Sequence, residues 1–429
     1  MKLENLSAAI AAHNENHLQE HPREFAFLAE RLARRGLDPE ALVEKIARFR
    51  VAVPSWALGA GGTRFGRYPL GGEPRNVEEK LEDVGLLRTL TDSTDAVSLH
   101  IPWDTPHDAA ALRRKADALG LRFDAMNSNT FQDQPGQPHS YKFGSLCHTD
   151  PAVRRQAVEH NLEVIEWGKA LGSRALTVWL ADGSNHPGQQ DFRAAFERTR
   201  ACLQEIYAYL PPDWRLFIEY KPYEPHFYSM VVPDWGTALW LAESCGERAS
   251  VLVDLGHHLP NTNIEQIVAL LLLRGRLGGF HFNDSKYGDD DLTVGALKPF
   301  QLFLIFNELV QTLEDPANPL PEPAWMIDAS HNLKDPLEDL IQSLEAIRLA
   351  YARALLVDRS ALHEAREGND PARAQEILQD AFRSDVRPLL REARLRRGAA
   401  LEPLTCFRAL EIRKQRIQER GTHNRATGL

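Results

Sequence analysis

Gly278-Gly-Phe-His281-Phe-Asn-Asp284-Ser-Lys-Tyr-Gly288-Asp289-Asp290-Asp291 is a short apolar run with a histidine inside it, opening into a turn loaded with carboxylates. The apolar part reads as a buried strand, and the glycine and the acids mark the turn that ends it. Three consecutive acids on one turn repel one another unless water or a cation separates their charges. Read alone, the run is a solvated acidic turn. A strand that delivers a histidine and several oxygen donors to one end is a different object, and the same pattern recurs along the chain.

Outward from this run, strand-like stretches stand at 49–53, 96–101, 121–126, 174–180, 215–220, 249–254, 278–283 and 324–328. Amphipathic helical stretches lie between them, at 76–91, 108–119, 151–171, 191–209, 234–245, 263–275 and 299–313. Strands alternating with helices in this number predict an α/β fold, a closed (β/α)8 barrel rather than an open doubly wound sheet. Residues 1–48 read as an N-terminal helical segment, 49–335 as the barrel, and 336–429 as a helical extension. The tail beyond about 396 is basic, and its order is left open.

Each apolar run is followed by a chemically active residue. In chain order these are Trp56, His100, Asn127, Trp179 with Asp182, Glu219 with Lys221, Asp254 with His257, His281, and Asp328 with His331. The carboxyl ends of barrel strands share one mouth, where active sites sit. Glu219 and Lys221 are two apart on one strand and so point to the same face. A charged pair is costly inside a barrel, which places this one at the mouth.

Glu219, Asp254, Asp289, Asp291 and Asp328 bring five negative charges to that mouth. Two divalent cations and Lys221 would balance them; without cations the acids must take up protons. Oxygen ligands with one or two imidazoles suit Mn²⁺, Mg²⁺ or Co²⁺ rather than a structural zinc, which favours thiolates. The inference is a dinuclear site with a bridging carboxylate. Each residue also has a plain reading. Asp254 could cap a helix, His258 could support a ligand, and Asp284 and Asp290 could shape the loop. Trp56, Trp179 and His100 could be core. Their joint placement favours a site.

Composition sets further bounds. The chain has 429 residues, 43% of them hydrophobic, enough for a large core. No apolar run approaches the ~20 residues of a membrane span, and no signal-peptide core is seen, so a soluble cytoplasmic protein is expected. The four cysteines are far apart, which argues against disulfides and zinc knuckles. A net charge of −10 argues against a nucleic-acid partner. Gly59-Ala-Gly-Gly-Thr-Arg-Phe65-Gly lacks the Gly-Lys-Ser/Thr of a phosphate loop, and no nucleophile elbow is present.

Four stretches carry a resemblance. Ile218-Glu219-Tyr-Lys221-Pro-Tyr-Glu224-Pro, Val253-Asp254-Leu-Gly-His257-His258, the run from His281 to Asp291, and Met326-Ile-Asp328-Ala-Ser-His331-Asn resemble the L-rhamnose isomerase family. The match is to its bacterial, broad-specificity branch, and it extends to about residue 395. The Glu-x-Lys-Pro-x-Glu-Pro core also resembles the wider xylose-isomerase-like superfamily. The resemblance implies a metal-dependent homotetrameric barrel that interconverts L-rhamnose and L-rhamnulose, and other aldoses such as D-allose. It implies two divalent cations per subunit, Mn²⁺ first, with Co²⁺ or Mg²⁺ as alternatives. One would be held by Glu219, Asp254, His281 and Asp328, the other by Glu219, His257, Asp289 and Asp291, with Glu219 bridging. Catalytic roles fall to Asp328, Lys221, His257 and His100. Sugar contacts fall to Trp56, Phe65, His100, Phe131, Trp179, Lys221 and Ser330, with Phe65 reaching into a neighbouring subunit's site.

Overall fold

The computed structural model describes residues 3–59, 69–224, 230–315, 320–330 and 333–422. Its strands are all parallel and close on themselves. In chain order the staves are Val53–Pro54, Ala96–Ser98 with His100–Ile101, Arg122–Phe123 with Met126–Ser128, Ala175–Val178, Arg215–Glu219, Ala249–Asp254, Leu277–Phe282 and Ala324–Ile327. Ala52 completes the ring: its N–H donates to Trp325 O at 2.7 Å and its carbonyl accepts from Ile327 N at 3.0 Å. The barrel is therefore closed.

Two staves are interrupted where one unbroken strand is expected in each. The Asn127 amide donates to the carbonyls of Leu99 and Ala125, at 3.2 and 3.3 Å, beside both interruptions. The first stave is short because Pro54 has no N–H to continue the ladder and a tight helical turn, Ser55–Leu58, follows at once.

Asp or Asn caps most helices around the barrel. Asn76, Asp108, Asp150, Asp191, Asp234, Asn263 and Asp335 each accept a backbone N–H from the first turn of the helix they precede. The helix Pro299–Leu313 has no such cap of its own. Asp284, from the acidic loop, supplies the function instead, with Oδ2 accepting from Leu297 N at 2.7 Å and Lys298 N at 2.9 Å. Asp284 is thus a loop-building residue.

The N-terminal helices and the C-terminal extension share one apolar core with the barrel helices, running from Leu6 to Ile412. Arg348, fully buried in the helix Pro336–Ala354, donates to the carbonyls of Ile46 and Thr91 and stitches the layers together.

The stretch beyond residue 396, whose order was left open, forms helices at Pro403–Ala409 and Ile412–Arg420. Its basic residues meet acids elsewhere. Arg420 grips Asp83 with two hydrogen bonds, at 2.7 and 3.0 Å, and Arg416 lies 3.0 Å from the same carboxylate. Arg413 grips Asp335 at 2.7 and 2.6 Å. Burial pushes the Asp83 carboxyl upward, and these arginines oppose the shift. None of the described helices is long and apolar enough to cross a membrane.

Candidate active site

Ala52, Ala96, Ala125, Ala175, Phe217, Leu252 and Met326 form an apolar plug inside the barrel. Side chains two residues further along a strand face the same way, so the next layer toward the carboxyl ends is fixed by the sequence. It contains Ser98, Asn127, Thr177, Glu219, Asp254 and Asp328. His281 joins it through the pairing of Asp254 with His281. The small alanines leave the plug's volume to Phe217, Leu252 and Met326, and polar side chains begin directly above them.

Among the described residues, two groups at or just beyond that layer could hold a metal ion. Glu219, Asp254, His281 and Asp328 form one, and Asp254, His257 and Asp289 the other; within each, one ligand atom per residue lies within 4.8 Å of the rest. His281 Nδ1 stands 3.1 Å from Glu219 Oε1, 3.6 Å from Asp328 Oδ2 and 3.9 Å from Asp254 Oδ2. His257 Nε2 stands 3.4 Å from Asp289 Oδ2 and 3.9 Å from Asp254 Oδ2. The other nitrogen of His257, Nδ1, lies 3.1 Å from the Tyr220 carbonyl. A proton there leaves the Nε2 lone pair facing the acids, the arrangement that orients metal-binding histidines.

The atoms of Asp254 fit a cation directly. Its Oδ1 accepts from Gly256 N at 2.7 Å and from Asn283 Nδ2 at 2.8 Å. Among the described residues its Oδ2 is buried without a hydrogen-bond partner, and it belongs to the carboxylate that both groups share. A buried carboxylate oxygen without a donor costs free energy that a cation would offset. Gly256 keeps this approach close: a Cβ would lie 3.1–3.3 Å from Asn283 and from Asp254 itself, so either side chain would have to give by a few tenths of an ångström. Oxygen and imidazole donors suit a hard or borderline divalent ion.

Without a cation, protons take its place. Burial pushes Asp254 above the usual carboxylate range, with Glu219 and Asp291 adding to the effect. Burial also carries Asp328 up to about 7, although His281 opposes it. Burial alone would raise Glu219 too, but His281 and His257 hold it well below the ordinary value. His281 runs the other way: burial disfavours its charge, and Glu219, Asp328 and Asp254 nevertheless raise it to about 10.

A cavity of about 290 Å³ is lined by the aromatic rings of Trp56, His100, Trp103, Phe131 and Trp179 together with Glu219, His257, His281, Asp291 and Asp328. Trp56 Nε1 donates to Asp328 Oδ1 at 2.7 Å. His100 stacks on Trp103 at 4.0 Å between ring centres, and Phe131 meets Trp179 edge-on at 4.7 Å. Burial lowers His100 to about 3, so this imidazole is neutral. Burial has the same effect on His258, whose Nε2 is 2.6 Å from Tyr220 Oη; it supports the site from behind.

Several placements differ from the sequence reading. The residue common to both groups is Asp254, where Glu219 was expected to bridge, because Glu219 Oε1 is turned toward the Nδ1 atoms of His281 and His257. Asp291 lines the cavity but stands outside both groups; its backbone is left-handed, with φ 49°, and its carbonyl accepts from Ser330 N. Ser330 itself is not among the lining residues. Neither is Lys221, which was expected to reach the sugar. It is 2% exposed and donates to Asp289 Oδ2 at 2.8 Å and to Glu224. Asp182 accepts from Ser145 and Cys147 and fastens a loop. Asp290 accepts from Lys286 N and Tyr287 N and shapes the acidic turn. Phe65 and His331 lie outside the described residues.

The sequence reading missed Trp103, Ser128, Gln132, Thr177 and Glu224, all of which line the cavity. Thr177 was within reach, since it lies two residues before Trp179 and two after the apolar Ala175.

The comparisons with known proteins agree with this architecture. The family described as "Xylose isomerase-like TIM barrel" matches residues 91–313. A protein of Rhizobium meliloti (strain 1021) described as a "probable sugar isomerase" is 55% identical over 414 residues, covering 96% of each chain. A second protein so described, from Mesorhizobium japonicum, is 54% identical over 398 residues, 93% of this chain and 92% of its own. The xylose isomerase of Thermus thermophilus is 26% identical over 262 residues, 56% of this chain and 64% of its own. Among solved structures, L-ribulose 3-epimerase shares the fold, with a TM-score of 0.50 at 18% identity over 72% of this chain and 96% of that one. With the barrel closed and more than half of the chain matched, the chain belongs to the xylose isomerase-like TIM barrel family.

Proposed function

We propose that the protein is a metal-dependent aldose–ketose isomerase, acting on open-chain L-rhamnose and on other aldoses such as D-allose. One observation carries the reading: two carboxylate–imidazole groups that share Asp254 sit beneath an aromatic-walled cavity sized for one small molecule. The named relatives support a sugar isomerase, and the four stretches quoted above support L-rhamnose in particular.

The reaction moves one hydrogen between C1 and C2 and one proton between the two oxygens, with no net oxidation. Glu219, Asp254, His281 and Asp328 would hold one divalent cation, and Asp254, His257 and Asp289 a second, with Mn²⁺ our first assignment. Bound there, the cations would supply Lewis acidity to the sugar oxygens on which charge develops.

The chain's own groups do the rest. Trp56, Trp103, Phe131 and Trp179 exclude water and pack against the C–H face and methyl end of the sugar. The indole N–H of Trp56 fixes Asp328 through Oδ1, which leaves Oδ2 turned toward His281 and the cation group. Lys221 keeps Asp289 oriented and balances its charge. Neutral His100 is too weak a base to carry a proton, so its part in ring opening is a hydrogen bond to the sugar.

The test is conversion of L-rhamnose, L-mannose, L-lyxose, D-allose and D-ribose by chelated protein with and without Mn²⁺, followed by ¹³C NMR. Ketose signals that require Mn²⁺ support the proposal. Products epimeric at a carbon other than C2, with no ketose formed from any aldose, sink it in favour of an epimerase. By the same resemblance we assign a homotetramer, which light scattering would check.

A further inference from the structure

Behind the aromatic wall lies a second buried polar cluster, centred on Asp104. Its Oδ2 accepts from the Ser55 hydroxyl and, at 2.8 Å, from the backbone N–H of His100; its Oδ1 accepts from Lys80 Nζ at 2.6 Å. Asp104 N–H donates back to His100 O at 2.8 Å, closing the turn. Asp104 is 2% exposed, Lys80 1% and Ser55 0%. None of the three lines the cavity.

Stability alone does not account for this cluster, because a well-packed apolar group often serves as well as a buried ion pair. Position does account for it. Both donors to Oδ2 are the roots of cavity residues. Ser55 precedes Trp56, which lines the cavity and holds Asp328 by its indole N–H. The backbone N–H held by Asp104 is that of His100 itself, whose ring meets Trp56 edge-on at 5.6 Å. One carboxylate therefore ties together the mouth ends of the first and second staves, and Lys80, on the helix Val77–Thr91, clamps that carboxylate from the outside.

We propose that Asp104, clamped by Lys80, is a positioning residue for the substrate wall, acting through Ser55 on Trp56 and through the backbone on His100. This rests on the reading of the cavity as the sugar site. The cluster sets where the wall stands relative to Asp328, so the sugar's transition-state fit depends on it while the remaining metal-group residues do not.

Asp104 and Lys80 variants risk misfolding, so the experiment uses Ser55→Ala, Trp56→Phe and the double variant. kcat, KM and Mn²⁺ affinity are measured on each, together with Tm. Ser55→Ala is expected to lower kcat/KM roughly tenfold, as a small misplacement of a binding group does, with Mn²⁺ affinity within about twofold and Tm nearly unchanged. If Ser55 acts through Trp56, the double variant is no worse than the poorer single one. Wild-type kcat/KM in Ser55→Ala, strictly multiplicative losses in the double variant, or a loss that follows the unfolded fraction would each overturn the positioning role. A wild-type protein that neither binds nor converts any of the five aldoses overturns this proposal and the functional reading together. Turnover by the wild type with Ser55→Ala unimpaired overturns this proposal alone.

Discussion

Replacing Asp254 by Asn should leave the protein at least as stable as wild type in chelator and less stable than wild type with Mn²⁺ bound. Gly256 N–H and the Asn283 amide both donate to Oδ1, so that position requires an oxygen acceptor. An asparagine must therefore direct its NH₂ to the Oδ2 position, toward the atoms of both metal groups. That loses a charged ligand and turns a donor toward the cation, so Mn²⁺ affinity should fall on the order of 10²-fold or more. In wild-type protein, Mn²⁺ at a hundred times its Kd stabilises the fold by about 2.7 kcal/mol, a rise in Tm of a few degrees for a chain this long. The variant should gain little of that. Without metal the sign reverses: burial and neighbouring acids hold the Asp254 carboxyl above its usual range, and a neutral amide relieves that repulsion. Differential scanning calorimetry at pH 8, with chelator and then with excess Mn²⁺, reads both terms. The variant should melt no lower than wild type in chelator and clearly lower in Mn²⁺. An equal Mn²⁺-induced shift in the two proteins would refute the assignment of Asp254 as the shared ligand.

Other consequences are as direct. Metal-free protein keeps a proton on His281 up to about pH 10 and on Asp328 up to about pH 7, and a cation displaces both. Mn²⁺ binding should therefore tighten as pH rises, by about tenfold per pH unit for each proton released, more steeply below 7 than above it; isothermal titration between pH 6 and 9 measures this, and a pH-independent Kd would contradict it. Lys221→Met removes the cation held between two buried carboxylates, Asp289 and Glu224, and should destabilise the protein by about 3 kcal/mol as well as lower turnover; denaturant melts and kcat would report the two effects. Arg420→Met removes both hydrogen bonds that Asp83 takes from Arg420 and should cost a similar ~3 kcal/mol without changing Mn²⁺ affinity, since neither residue belongs to a metal group.

Much of this fold is legible in the sequence because hydrophobic period tracks burial. The helices at Pro151–Leu171 and Pro299–Leu313 and the strand Ala249–Asp254 fall on the residues that their apolar spacing marks. The candidate ligands are legible for a related reason: Glu219, Asp254 and Asp328 each follow a plug residue by two positions, so strand geometry aims them at the mouth. What spacing does not carry is the direction of each carboxylate once it is there. Asp254 becomes the shared residue because Asn283 and the Gly256 N–H occupy its other oxygen, and neither contact has a pattern in the chain. Lys221 looks free to meet a sugar until Asp289 and Glu224 are placed around it. The basic tail is opaque for the same reason, since Arg420 finds its partner Asp83 337 positions away.

The central claim is that turnover depends on cations held by these two groups. The most direct measurement titrates Mn²⁺ into exhaustively chelated protein and follows bound metal and L-rhamnose conversion in the same samples. The account predicts no conversion at zero metal and a rise that saturates at two ions per chain, one for each group. Full conversion by the chelated protein, or binding of two ions with no ketose formed, would contradict it.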